Sequence, residues 1–361
     1  MENEYLLSII IPVYNAKNYV KKGVESILLQ EVKDIQIILV DDGSTDGSDM
    51  ICDEFTKRMN IFAIHKENGG LSSARNAGMR VATGKYITFM DVDDYFEPGA
   101  FKEIYNLLNN NNIDLVDFGY NYISSSGEKI PTINHNKKNY VFDRKYIKGV
   151  LIPPVINLVN DDEHFIFNFA WGKIYKNNII QSYNIYFEEK RRIWEDRPFL
   201  VKYLKYCHTY YSMDKCFYNY VNVSDSLSHS YSDQSLGTVL NNYEICYENY
   251  SKEYDFSTQY VTDYWASAIE NMIIRQLSFK HEHPEVENAI IKVLKNPQVI
   301  KWYKNRTVKA KYQSNILKLL EEEKYIKIIK IYESIIRKEN LRNKKNEDIY
   351  KLKRFIKNII S

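Results

Sequence analysis

The chain has 361 residues, 44% of them hydrophobic and 27% charged, with a formal net charge of +2. That length admits a catalytic domain with a full core plus a second, smaller region. The four cysteines (Cys52, Cys207, Cys216 and Cys246) contain no Cys-x-x-Cys pair, which speaks against a zinc ribbon or a dithiol redox motif. No run approaches the ~18 apolar residues of a membrane span. Two acids precede the first apolar run, and Pro12 cuts it, so no signal peptide is read. The expectation is a cytoplasmic protein with reduced thiols.

The first 120 residues alternate strand and helix signals. "LLSIIIPVY" (6–14) is a continuous apolar run, as in a strand covered on both faces. "AKNYVKKGVESILLQ" (16–30) places Val20, Val24, Ile27 and Leu28 on one helical face. "IQIILVDDGS" (35–44) reads as a second buried strand ending in acids, and "STDGSDMICDEFTKRM" as a capped helix. A short strand at 61–64 leads into "NGGLSSARNAGMRVATG", helical at its centre, and then strand "KYITFM" (85–90). "PGAFKEIYNLLNNN" opens a helix near Pro98. This alternation predicts an α/β fold with a mostly parallel, right-handed sheet. Ligands bind such sheets at the carboxyl ends of the strands, where the acids of 41–42 and 91–94 fall.

Further along, "IDLVDFGYNYI" and "FYNYVN" (217–222) read as strands, "SSSGE" (124–128) as a turn, and 131–168 as including a long loop. "FAWGKIYKNNII" (169–180) and "DRPFLVKYLKYC" (196–207) read as helices, and from about 235 the pattern is helical. The expected division is a catalytic domain over 1–230, with a nucleotide-binding half (1–120) and an acceptor-binding half (121–230), then a helical, basic region over 231–361.

Two nucleotide motifs are excluded. No two glycines lie two apart, so the Gly-x-Gly of a dinucleotide fingerprint is absent. Gly84-Lys85 has Met79 where a P-loop needs glycine. What remains is a nucleotide site built on carboxylates and a metal.

The blocks "SIIIPVYN", "ILVDDGSTDGS", "ENGGLSSARNAG", "GKYITFMDVDD" and "WED" follow the order and approximate spacing of family 2 glycosyltransferases, which the chain resembles over about residues 5–230. Within that family it looks like the bacterial enzymes that build capsular, exopolysaccharide or O-chain glycans. The resemblance implies a GT-A fold, Rossmann-like, with flanking helices and a helical C-terminal region. It also implies an inverting, metal-dependent transfer from a nucleotide sugar, most often UDP-linked, to a growing, lipid-linked surface glycan.

By that resemblance Asp91 and Asp93 match the Asp-x-Asp motif, with Asp94 beside them, and would serve the donor diphosphate and a divalent cation (Mn²⁺ or Mg²⁺), an ion that prefers carboxylate and water oxygens. On a strand, 91 and 93 would share one side; the alternative is an acidic turn capping the next helix. Pro12, Tyr14 and Asn15 would line the base pocket. One of Asp41 and Asp42 would accept from the nucleoside, the other serving an Asx turn. Arg75 and Asn76 would lie beside nucleotide and sugar, with Arg75 near the acids of the Asp-x-Asp region; a glycine-rich helix start with Arg75 in a structural ion pair is the alternative. Asp196, with Glu195, would take the acceptor proton; a plain helix cap is the alternative. Trp171 and Trp194 are candidate acceptor-sugar platforms, since an aromatic face packs on the apolar face of a pyranose, and core packing is the alternative. Where relatives carry a basic residue before a Ser-x-Ser segment this chain has Val221, and His229 is a candidate metal or phosphate ligand.

Residues 301–361 hold 18 Lys/Arg against 7 Asp/Glu, a local balance of +11 that leaves −9 for residues 1–300. "KYIKIIKIYESIIRK" (324–338) sets Ile326, Ile329 and Ile336 against lysines at helical spacing. Three readings stand: a helix packed on protein, a peripheral contact with the inner face of the plasma membrane through the polyprenyl-linked acceptor, and, least favoured, nucleic acid. For the whole chain, a sugar nucleotidyltransferase and a non-catalytic scaffold of a polysaccharide assembly are the rival functions. The former usually opens with a Gly-rich basic loop after strand one, and "PVYNAKNYV" offers none.

Overall fold

The computed structural model describes residues 5–30, 32–124, 126–133, 139–156, 166, 168–191, 194–222, 235–307 and 313–338. The chain divides into two compact units: 1–230 with 244–254, and 231–243 with 255–361.

The first unit is built on a ten-stranded sheet: β1 (Tyr5–Val13), β2 (Ile35–Asp41), β3 (Ile61–His65), β4 (Gly84–Phe89), β5 (Tyr95–Phe96), β6 (Leu115–Ile123), β7 (Lys129–Ile133), β8 (Tyr140–Phe142), β9 (Lys173–Lys176) and β10 (Tyr210–Val221). The order is β3-β2-β1-β4-β9-β6-β10-β5, with β7 on β6 and β8 on β10. β3, β2, β1 and β4 run parallel, connected by α1 (Val20–Leu28), α2 (Ser48–Phe55) and α3 (Leu71–Val81). β1 and β2 are buried almost throughout, as their unbroken apolar runs require. α1 adds Val20, Val24 and Ile27 to the core, and α4 (Ala100–Asn110) adds Phe101, Ile104 and Leu108. The two halves expected within 1–230 share this one sheet.

Beyond β4 the sheet is mixed, because β9 lies antiparallel between β4 and β6. This corrects the helix expected over 169–180. Lys173–Lys176 is a strand, and only Asn177–Ser182 (α7) is helical. Ile174 and Tyr175, adjacent and both buried, show that the strand is covered on both faces between two sheet neighbours, so tertiary pairing overrides local pattern. Within 131–168, read as including a long loop, the described residues hold the end of β7, β8, α5 (Arg144–Tyr146), a π turn (Ile147–Leu151) and α6 (Ile152–Val155), and 134–138, 157–165 and 167 lie outside the described residues. α8 (Asp196–Leu204) closes the site, and β10 is a twelve-residue strand where only 217–222 was read.

α9 (Ser235–Tyr250) precedes the helices of the second unit. These are α10 (Gln259–Ser278), α11 (Val286–Leu294), α12 (Pro297–Asn305), α13 (Gln313–Glu321) and a helix over 325–338. Trp265 and Trp302, both buried, meet Tyr243 edge-on at 5.5 and 4.9 Å. The 325–338 helix buries Ile328, Ile329 and Tyr332, and Tyr332 shares a 2.7 Å hydroxyl–hydroxyl bond with Tyr303. Its apolar face is thus packed inside the unit, with Ile326 left exposed. Among the described residues no helix is long and apolar enough to cross a membrane. The rest of the basic tail, from 339, lies outside the described residues.

Candidate functional site at the carboxyl ends of the strands

The site begins where β1 and β2 end. Tyr14 is exposed just beyond β1. Asn15 adopts φ 47°, a left-handed conformation that asparagine tolerates. Its Oδ1 accepts from Thr45 N at 2.8 Å, tying the end of β1 to the loop after β2. Pro12, expected in the base pocket, lies buried in β1 beside Val40, so it supports that end without facing it.

Both acids at the end of β2, Asp41 within the strand and Asp42 just beyond it, are buried. Asp42 Oδ1 accepts from Lys66 Nζ at 2.5 Å and Gly69 N at 3.0 Å, and its Oδ2 accepts from Gly70 N at 2.7 Å. Gly70 sits at φ 86°, open to glycine and costly to a bulkier residue, and a Cβ on Gly69 would come within 2.7 Å of Ser73 Oγ. The glycine pair is therefore the seat of Asp42. Asp41 accepts from Ser44 N at 3.0 Å and faces His65 Nδ1 at 3.0 Å. His65, absent from the sequence-based candidates, also faces Asp53 with Nε2 at 3.0 Å. Only an imidazolium donates at both nitrogens, and the hydrogen bonds to Asp41 and Asp53 raise its pKa. Burial alone would raise Asp41, yet the bonds from Ser44 and His65 hold it below the ordinary aspartate value.

The second acidic cluster follows β4. The strand ends at Phe89, and 91–94 fold as a turn closed by Asp94 N donating to Asp91 O at 3.0 Å. The shared strand side expected for 91 and 93 is therefore replaced by turn geometry. Asp94 is buried: Tyr218 OH donates to its Oδ2 at 2.7 Å and Val221 N to its Oδ1 at 2.8 Å. The same Tyr218 hydroxyl accepts from Asp91 N at 3.0 Å. Asp94 is thus the anchor of the turn to β10, and both oxygens expected to reach a metal already accept from protein donors. Burial, with the Asp91 and Asp93 charges, pushes its pKa well up. Val221, where a basic side chain was missed, contributes its backbone N–H to this anchor.

Arg75 joins this turn to the start of α8. Its guanidinium, buried in α3, donates from Nη2 to Asp91 Oδ1 at 2.9 Å and from Nη1 to Glu195 Oε1 at 3.1 Å and Asp196 Oδ1 at 2.7 Å. Burial would lower its pKa; the charges of Asp196, Asp91 and Glu195 outweigh it and keep the cation charged. Arg75 therefore positions carboxylates, and at 1% exposure it presents no surface to a nucleotide, although its Nε has no hydrogen-bond partner among the described residues. Asn76 is corrected in the same way: buried, it donates to Phe187 O at 2.9 Å and to Glu189 at 3.1 Å, and accepts from Phe187 N.

Glu195 precedes α8 and makes no side-chain cap bond, and Asp196 is the first helical residue with its carboxylate on Arg75. The plain helix-cap alternative for Asp196 does not hold. Burial, then the Asp196 charge, lifts Glu195 to about 7 against the pull of Arg75. Burial also raises Asp196, with Arg75 opposing. A carboxylate poised near neutrality suits proton transfer.

Asp93 is half-buried, and no described Lys, Arg or His forms an ion pair with it. Burial and the neighbouring Asp91 push it up to about 6. Asp91 has one oxygen on Arg75, and Asp93 has no cationic partner among the described residues; carboxylate oxygens of this kind have the donor chemistry that a hard divalent cation takes. Among the described residues no three His, Cys, Asp or Glu side chains converge into a ready-made metal cluster, so the protein offers two carboxylates rather than a closed cage. His229 lies outside the described residues. Trp171 is 6% exposed, its ring stacked between Phe169 at 4.5 Å and Tyr218 at 4.6 Å, which removes it as a sugar platform. Trp194 is exposed.

Residues 8–157 match the family model described as "Glycosyl transferase family 2". The chain is 33% identical over 226 residues to the "Uncharacterized glycosyltransferase EpsJ" of Bacillus subtilis (strain 168), covering 62% of this chain and 63% of that protein. It is 33% identical over 198 residues to the "Minor teichoic acid biosynthesis protein GgaB" of the same organism, covering 53% and 20%. The chain thus spans less than two thirds of either relative. Among solved structures, S. aureus TarS 1-349 in complex with UDP-GlcNAc superposes with a TM-score of 0.60 at 17% identity, over 92% of this chain and 91% of that one. The sheet and its helices have the GT-A fold, and the chain is similar to glycosyl transferase family 2 over residues 8–157.

Proposed function

We propose that the chain is an inverting glycosyltransferase that moves a sugar from a UDP-linked donor to a growing surface glycan carried on a polyprenyl diphosphate. The observation that carries this reading is the Arg75 bridge, which brings the Asp91 end of the donor-side turn and the Glu195–Asp196 pair onto one buried cation. Donor and base ends of an in-line displacement need that fixed separation. The UDP-GlcNAc complex of TarS and the teichoic acid naming of GgaB support the donor and acceptor classes.

In this reading Tyr14 and Asn15 border the nucleoside, with Asp41 and Asp42 shaping the loops around it. Asp91 and Asp93 would hold the divalent cation, Mn²⁺ or Mg²⁺, which when bound offsets charge on the departing diphosphate. Asp196 takes the proton from the acceptor hydroxyl as that oxygen attacks the anomeric carbon, and Glu195 shares the proton load. Arg75 keeps Asp196 oriented and ionisable. One displacement inverts the anomeric centre.

A donor panel tests the reading: thermal shift with UDP-, GDP- and TDP-sugars, each with Mn²⁺ and with chelator. Stabilisation by a UDP-sugar that requires the cation supports it. Stabilisation by none of the sugars, or equal stabilisation with chelator, contradicts the donor class or the metal role respectively.

A further inference from the structure

Of the four tryptophans, Trp171, Trp265 and Trp302 are buried, and Trp194 alone is exposed, at 41%. Its backbone takes φ 56°, a left-handed conformation that is a genuine outlier for a bulky residue. Strain of that kind persists where the surroundings over-determine it. Here the two residues that follow are both fixed: Glu195 and Asp196 each accept a hydrogen bond from Arg75, and Asp196 starts α8. Among the described residues no aromatic ring packs on the indole and no hydrogen bond engages it. An exposed indole thus directly precedes in sequence the two carboxylates that the proposed reading sets against the acceptor.

We propose that Trp194 is the acceptor-sugar platform: its indole takes the apolar C–H face of the acceptor pyranose and seats the attacking hydroxyl at Asp196. The ligand class is a hexopyranose with an apolar face, and an indole supplies large, rigid contact area with little side-chain freedom to lose. This inference rests on the glycosyl-transfer reading. It separates two surfaces, since the donor is bordered by the ends of β1, β2 and β4, whereas Trp194 belongs to the segment ahead of α8.

The test uses the full chain with the stabilising UDP-sugar, reading UDP release without acceptor and transfer to p-nitrophenyl β-glycosides of glucose, galactose, N-acetylglucosamine and N-acetylgalactosamine. For Trp194→Ala the acceptor KM is expected to rise about 3- to 10-fold, with acceptor-free UDP release within about twofold of wild type. Trp194→Tyr, which keeps an aromatic face, recovers much of the loss. An unchanged acceptor KM in Trp194→Ala overturns the platform. So does a fall in acceptor-free UDP release that matches the fall in transfer, because that marks damage to the donor side. Wild-type protein that releases UDP from no donor overturns the glycosyl-transfer reading itself, and the platform with it.

Discussion

Arg75 Nη1 donates to Asp196 Oδ1 at 2.7 Å across 121 residues of sequence, and that bond fixes the candidate base against a helix on the donor side of the sheet. The same guanidinium holds Asp91 and Glu195, so three carboxylates share one buried cation.

Removing that cation leaves the buried Glu195 and the part-buried Asp91 and Asp196 without the positive charge they share. Arg75→Met is expected to destabilise the first unit by about 3–5 kcal/mol. Arg75→Lys keeps the charge but loses the two-nitrogen fork, so it should retain most stability while transfer falls about tenfold or more. Urea unfolding and initial rates on the same preparations check both outcomes.

Tyr218 links both ends of the acidic turn, donating to Asp94 and accepting from Asp91 N. Tyr218→Phe removes one buried hydroxyl and leaves an unpaired N–H and carboxylate oxygen, at a cost of about 1–3 kcal/mol. Because the turn carries Asp93, cation-dependent stabilisation by the donor should weaken as well. Thermal melts with and without Mn²⁺ measure both effects.

Asp93→Asn isolates the metal role. It removes charge at a half-buried carboxylate whose pKa lies near 6, so the protein without ligands should be as stable as wild type or slightly more so at pH 8. Cation-dependent stabilisation by UDP-sugar should disappear in the same variant. A donor titration that stays cation-dependent in Asp93→Asn would remove Asp93 from the metal site.

Glu195 makes a signed pH prediction. Its folded pKa, about 7, lies above the ordinary 4.5, so its contribution to stability is complete below about pH 4.5 and is lost as pH rises through 7. Glu195→Gln should therefore flatten the decline in stability between pH 5 and 8.5, a difference on the order of 2–3 kcal/mol across that range. Transfer by the wild type should rise with pH through the same interval as the carboxylate pair ionises. Unfolding free energies of the two proteins, measured side by side across that range, test the sign.

Much of this site was legible because its acids follow short, β-branched apolar runs of the length that covered strands have. "IILVDD" and "YITFMD" place Asp41, Asp42 and Asp91 at strand ends by local pattern alone. The roles within each cluster were not local. Asp94 and Asp93 are neighbours in sequence, yet Asp94 is an anchor because Tyr218 and Val221 arrive from 124 and 127 residues away. His65 escaped notice because its partners Asp41 and Asp53 converge only once β2, β3 and α2 are packed. β9 was misread because four residues buried on both faces carry too little periodicity to reveal a strand clasped between β4 and β6.

The most direct measurement is transfer by Asp196→Asn, set beside its binding of the UDP-sugar by isothermal titration in the presence of Mn²⁺. The account predicts that transfer falls by about 10²-fold or more while donor affinity stays within a few-fold of wild type, because Asp196 meets the acceptor hydroxyl rather than the nucleotide. Transfer near the wild-type rate, with the donor bound as tightly, would contradict the assignment of Asp196 as the base.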